Sequence, residues 1–177
     1  MAKEAKTNAM RLLERSKIAY TAHEYPHAPG EAVDGVTVAR LTGRDPACVF
    51  KTLVTQWADR NYYVFVIPVA AELDLKKAAK AAGVKSVSML HVADLLKVTG
   101  YVRGGCSPVG MKKQFKTVFD ASCLTQPAIL VSAGRIGTQI EAAPADLLGV
   151  TRGTAAAITA EAGALSAWTN TWPSALG

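Results

Sequence analysis

CVFKTLVTQWADRNYYVFVIP, residues 48–68, decides the fold. It holds two runs rich in β-branched and aromatic residues, CVFKTLVTQ and NYYVFVIP, on either side of a turn around Ala58 to Arg60, which predicts two adjacent strands. Side chains alternate along a strand, so Val49, Lys51 and Leu53 are expected on one face and Cys48, Phe50, Thr52 and Val54 on the other. Lys51 then shares a face with two aliphatic residues, although taking an ammonium out of water is costly. An edge strand, or a lysine stem lying on apolar surface with its tip in water, explains this without any function. The strand pattern alone leaves both readings open.

Working outward, Thr7 or Asn8 can cap a first helix that carries Ala9, Leu12 and Leu13 and ends near Ser16. IAYTAHEY follows as an alternating strand, and PHAPG (26–30) has loop chemistry. EAVDGVTVARLTG reads as a short helix through Val33, Val38 and Leu41, stopping at Gly43, with RDP as a turn. On the far side of the hairpin, LDLKKAAKAAG is a helix with Asp74 near its start and Gly83 as its C-cap residue. HVADLLKVTG is a second helical stretch, and GYVRGGCSPVGMKK is an irregular, glycine-dense loop. KTVFD, PAILVSA and TQIEA are three further strands, the last two joined by GRIG. APADLLGV closes with a helix that has Pro144 in its first turn. Short strands mixed with helices predict an α+β or mixed α/β single domain with a central, mostly antiparallel sheet flanked by helices. The domain is expected over residues 1–150. Residues 151–177 are alanine-rich, almost uncharged and carry Trp168 and Trp172, and are expected to be a C-terminal extension without chemistry of its own.

Half of the 177 residues are apolar and 19% are charged, as in ordinary globular domains with a hydrophobic core. No window approaches a membrane span, and the charged, amphipathic N-terminus lacks the apolar core of a signal peptide. Cys48, Cys106 and Cys123 are odd in number and show no CxxC spacing, so a reduced, cytoplasmic protein without disulfides or a zinc site is expected. The formal charge is +6, and residues 151–177 add only Arg152 and Glu161, which cancel. Lysines cluster at 76, 77, 80 and 85 and at 112, 113 and 116. Such an excess suits a polyanionic partner, and equally a solvated basic surface.

In GGCSPVGMKK, Gly104 and Gly105 permit close backbone approach and Pro108 holds Ser107 extended. Successive N–H groups in such a loop can converge on an anion or a developing oxyanion, or the loop can be a tight structural connection. It is not a phosphate-binding P-loop: Met111 stands where that motif needs lysine, and no Ser or Thr follows. His23 and His27 have a metal-like spacing for a helix, but Pro26 lies between them in a strand-to-loop segment. Ser107 and Ser132 lack a nucleophile-elbow pattern, so an acyl-enzyme is not supported.

FKTL, GYVRGGCSPVGMKK and VSAGRIGTQIEAAPADLL together resemble the YbaK/EbsC family of aminoacyl-tRNA deacylases, free-standing relatives of the editing domain of bacterial prolyl-tRNA synthetase. The likeness runs from the first helix to about Leu148. It implies a twisted sheet and the hydrolysis of mischarged tRNA, most often cysteine on proline tRNA, with no metal, cofactor or membrane and with prolyl-tRNA synthetase as a possible partner. By resemblance, Lys51 matches the lysine on which activity depends, Thr52 its pocket neighbour, and Tyr25 a pocket tyrosine. Gly104 matches the glycine facing the ester, with Gly105 and Ser107 in the same loop. Gln139 stands where some relatives carry an aspartate. The expected mechanism sets the Gly104 and Gly105 N–H groups against the oxyanion while Lys51 orients the tRNA end. The substrate's own thiol serves as nucleophile, with pocket water and an alanyl substrate as the alternative. A non-catalytic module that binds tRNA or a synthetase is a further alternative.

Overall fold

A computed structural model describes residues 5–58 and 61–160. The hairpin forms as expected: β2 (Phe50–Trp57) pairs antiparallel with β3 (Asn61–Pro68) along its whole length, from Phe50 opposite Pro68 to Trp57 opposite Asn61. Around it come α1 (Asn8–Arg15), β1 (Thr21–Glu24), α2 (Gly35–Leu41), α3 (Leu75–Ala82), β4 (Ser88–Met89), α4 (Val92–Thr99), β5 (Lys116–Asp120), β6 (Ile129–Ser132), β7 (Thr138–Ala142), α5 (Pro144–Thr151) and β8 (Thr154–Ala156).

The caps explain the helix limits. Thr7 Oγ1 accepts from the Met10 N–H, Asp34 from Thr37, and Asp74 from Lys76 and Lys77, while Gly83 ends α3. Because Asp34 is the cap, α2 starts at Gly35 and leaves Val33 outside it.

The mostly antiparallel sheet is present as two ladders. One is β1-β7-β6, wholly antiparallel; the other is β4-β2-β3-β5-β8, in which β3–β5 and β5–β8 run parallel. A single bridge, Val49 to Leu130, ties the start of β2 to β6. Between the ladders lies the main core, where Phe50, Val54, Val64, Phe119, Ile129 and Ile140 pack with Leu13 of α1 and Leu147 of α5. On the other face of the larger sheet, α3 lays Ala78, Ala79 and Ala82 over Phe65, Ile67 and Val118. Its small side chains bring the helix close to the strands.

Three features differ from the sequence reading. IAYTAHEY yields only a four-residue strand, because Ile18 N–H turns back to the Leu13 carbonyl and its side chain rejoins the core. β4 has two residues and β8 three small ones, too few to show alternation. The boundary expected after residue 150 falls inside α5, and the chain beyond it belongs to the fold. β8 extends the larger sheet, the fully buried Ile158 donates its N–H to Asp120 Oδ1, and Ala160 N–H bonds the Glu72 carbonyl. Trp168 and Trp172 lie outside the described residues. Among those residues no helix is long and apolar enough to cross a membrane.

Candidate active site

Where the two ladders separate, beyond the Val49 bridge, they leave a cavity of about 110 Å³. That is well below the roughly 300–1,000 Å³ of a drug-sized pocket, so it suits a small amino acid and not an aromatic one. β2 supplies one wall with Phe50, Lys51 and Thr52. Val33, Gly35 and Val38, in and before α2, supply another with Val69. The glycine loop closes it with Gly104 and Cys106. Ser132 and Gln139 come from the smaller sheet, and Tyr25 from the residue directly after β1.

The register of that sheet explains its contribution. Ser132, Gln139 and His23 are direct cross-strand partners, so they form one polar row on the face opposite the core residue Ile140. Gln139 is only 6% exposed, and its Oε1 is buried without a hydrogen-bond partner among the described residues. Thr52 Oγ1, on the facing wall, is also buried and unpartnered. An unmatched buried polar atom costs about 1–3 kcal/mol, so both atoms are available to hydrogen-bond a polar group that enters the cavity.

Lys51 is half-buried and makes no hydrogen bond or ion pair among the described residues. Burial pushes its pKa below the ordinary 10.5, and the Glu72 carboxylate acts through space the other way. An ammonium held in this state attracts an anion more strongly than one in water.

Gly104 has φ +85°, and a Cβ there would sit 2.6 Å from Ala32 Cβ. The glycine thus lets the loop before α2 close directly over it. Its N–H has no acceptor among the described residues. The other half of the expected oxyanion pair needs correction. Gly105 N–H donates to the Val102 carbonyl at 2.9 Å, and Gly105 packs against the Arg135–Ile136 backbone, outside the cavity lining. Ser107 is likewise turned away: it is fully buried, accepts from the Val109 N–H, and does not reach the cavity.

Of the seven residues singled out, the fold therefore gathers Tyr25, Lys51, Thr52, Gly104 and Gln139 at one cavity. Ser132 and Cys106 line it too and were not anticipated. Counting back from the GRIG turn would have placed Ser132 opposite Gln139; Cys106 carried no signal beyond its loop. Burial pushes the Cys106 thiol up to about 12 against a weaker opposing hydrogen bond to Thr99. It is therefore a poor nucleophile near neutrality. Replacing Cys106 with alanine is expected to leave the deacylation rate within about threefold of wild type in a single-turnover assay.

Behind the polar row, Glu141 Oε1 accepts from His23 Nε2 at 2.8 Å and from Arg44 Nη2 at 2.9 Å. This ties the smaller sheet to the segment following α2. Burial works to raise the Glu141 pKa, but the His23 hydrogen bond and the Arg44 charge together hold it below the ordinary carboxylate value. A depressed carboxylate stabilises the fold above its unfolded pKa, and that contribution is lost as pH falls through the folded value. Glu141→Gln should therefore melt below wild type at neutral pH, with the gap closing on acidification, as differential scanning calorimetry would show. His27 is engaged elsewhere, its Nδ1 on the Ala28 carbonyl and its ring against Gly137.

Residues 30–150 match the family model described as the aminoacyl-tRNA editing domain. A protein of Enterococcus faecalis, named as a candidate Cys-tRNA(Pro)/Cys-tRNA(Cys) deacylase EbsC, is 47% identical over 156 residues, which cover 88% of this chain and 94% of that one. Among solved structures, a candidate trans-editing enzyme for prolyl-tRNA synthetase is similar with a TM-score of 0.75 at 22% identity, over 89% of this chain and 100% of that chain. The hypothetical protein APE2540 is similar with a TM-score of 0.77 at 21% identity, over 87% and 100%. At these identities the two structures speak to the fold.

Proposed function

The chain belongs to the aminoacyl-tRNA editing domain family, and from that premise we propose that it clears cysteine from mischarged proline tRNA in trans. The observation that carries this reading is the small cavity lined by Lys51, the Gly104 bend and two buried polar atoms, with neither the ammonium nor those atoms partnered among the described residues. An aminoacyl ester is already activated, so placing it and stabilising a tetrahedral oxyanion are enough. Lys51 takes the phosphate or ribose of the terminal adenosine. Gly104 N–H faces the developing oxyanion, singly and not with Gly105. Gln139 Oε1 and Thr52 Oγ1 meet the polar atoms of the aminoacyl group, and Tyr25 with Val33 and Val38 limits its size.

The substrate's thiol is the nucleophile. After loss of its proton, sulfur bonds to the carbonyl carbon, the carbon–oxygen ester bond breaks, and the tRNA 3′ oxygen leaves and takes up a proton. The cyclic thioester is then opened by water to cysteine. No protein Ser, His or Cys is required, in keeping with a Cys106 thiol that stays protonated. The work belongs in the cytoplasm, where charged tRNA is found. Prolyl-tRNA synthetase, which creates the mischarged species because size alone separates small amino acids weakly, is the implied partner.

Single-turnover release of cysteine, alanine, serine and proline from charged proline tRNA tests the reading. Cysteine should leave fastest, with serine slower by about a hundredfold or more, the scale of a lost catalytic interaction. Equal rates for cysteine and alanine would replace the thiol with water held in the cavity.

A further inference from the structure

The helix α2 has only seven residues, Gly35–Leu41, too few to hold a helix on its own, so its contacts set where it lies. Its placement matters because Gly35 and Val38 form part of the cavity wall. At its first turn the helix is seated sterically, since a Cβ on Gly35 would overlap the Val69 side chain. At its middle Ala39 packs with Val49, Val69 and Leu130, all of them buried. Beyond its end the Arg44 N–H turns back to the Ala39 carbonyl at 2.9 Å, and the Arg44 guanidinium reaches across to Glu141.

The smaller sheet meets this helix with two rows of one face. Residues two apart on a strand share a face, so Gln139 lies with Glu141 on β7, and Ser132 with Leu130 on β6. The first row, Ser132 and Gln139, lines the cavity, while the second, Leu130 and Glu141, carries α2. His23 stands directly opposite Gln139 and donates from Nε2 to Glu141 Oε1 at 2.8 Å, beside the Arg44 bond at 2.9 Å. Only about 7 Å of strand separates the cavity residue Gln139 from Glu141. The Arg44 and Glu141 side chains are partly buried, which strengthens a charge-assisted bond over one in open water.

We propose that Arg44, Glu141 and His23 form a clasp that fixes α2 against the smaller sheet and so sets the width of the cavity, making them positioning residues for amino-acid selectivity. Among the described residues that line the cavity none of the three appears. They act through the α2 wall and through Gln139. With the clasp closed, the space of about 110 Å³ admits a cysteinyl side chain and penalises a bulkier one. One methylene group too many in such a pocket is worth about 10–200-fold. With the clasp open, the short helix leans away from the second row and the penalty on bulk falls. The inference rests on the deacylase reading for cysteine as the occupant; the contacts of α2 stand without it.

The test uses penicillamine, a cysteine with two extra methyl groups on Cβ, as the bulky probe. Kd is measured for the uncleavable amide analogues of cysteinyl-adenosine and penicillaminyl-adenosine. The proteins are wild type, Arg44→Met, Arg44→Lys, Glu141→Gln and the double variant Arg44→Met/Glu141→Gln. Arg44 Nε is buried without a partner among the described residues, so truncating Glu141 would strand the guanidinium; these substitutions keep the side-chain outlines instead. Wild type should prefer the cysteinyl analogue by about a hundredfold. Arg44→Met should lower that ratio by about tenfold or more, within the range that one methylene commands. Glu141→Gln should lower it by about threefold, because its amide oxygen still accepts but without the charge, and Arg44→Lys should stay within about twofold of wild type. The double variant should match Arg44→Met and not multiply the two effects, as expected for parts of one unit. Melting curves taken alongside separate selectivity from stability. An unchanged ratio in Arg44→Met, or in Glu141→Gln if Arg44→Met does not fold, shows a merely structural link and overturns the proposal, as does a wild type without preference. A wild type that binds neither analogue overturns the deacylase reading, and the selectivity claim with it.

Discussion

Lys51→Met should lower kcat/KM for cysteinyl-tRNA by a hundredfold or more while leaving the melting temperature equal to or above that of wild type. The two halves of this expectation have one cause. The Lys51 ammonium is half-buried, has no hydrogen-bond or ion-pair partner among the described residues, and feels Glu72 only through space. A lysine whose pKa is depressed in the fold burdens stability below that pKa, and the burden disappears as pH rises to its unfolded value of 10.5. Methionine fills similar space without the charge, so the fold loses nothing. On the proposed mechanism the reaction loses the cation assigned to the anionic end of the substrate, an effect of about 10²–10³ for a preorganised electrostatic contact. The pH profile carries the same signature. With background ester hydrolysis subtracted, activity should decline on the alkaline side below the ordinary lysine range, and Lys51→Arg should move that decline upward. A Lys51→Met enzyme that keeps wild-type kcat/KM removes the residue from the mechanism.

Gly104→Ala should be nearly as damaging, by a different route. At φ +85° a side chain costs about 1–2 kcal/mol from local sterics alone. The added Cβ would also stand 2.6 Å from Ala32 Cβ and 3.0 Å from Ala32 Cα, so the loop that covers the cavity has to lift. The strain should lower the melting temperature by about 2–8 °C for a chain of this size. Displacement of the N–H from the ester should cost about a hundredfold in kcat. Adding Ala32→Gly removes the nearest clash and should return part of the activity while the backbone strain remains. Gly104→Ala with normal turnover would show that the bend only connects two parts of the chain.

How far the sequence spoke depended on the range of the interaction. The hairpin, the Asp74 and Gly83 caps of α3 and the Pro144 start of α5 rest on neighbouring residues, and all were legible. Lys51 was visible as an anomaly in a strand, but only the resemblance across three blocks turned it into a candidate site residue. What escaped depends on residues far apart in the chain. The Ser132–Gln139–His23 row needs the register of three strands, and the fit of Gly104 under Ala32 needs two loops to meet. The fate of the Gly105 N–H was hidden too, because glycine spacing permits a turn without saying which way its amides point. β8 has no pattern of its own and exists because β5 offers it an edge.

The central claim is that Lys51 steers the anionic end of the substrate into this cavity. It is tested most directly by the binding of an uncleavable amide analogue of cysteinyl-adenosine, made with and without its 5′-phosphate, to wild type and Lys51→Met. The phosphate should tighten binding to wild type by about tenfold or more and add almost nothing in the variant. If it tightens binding equally in both proteins, Lys51 does not hold the phosphate and the account is contradicted.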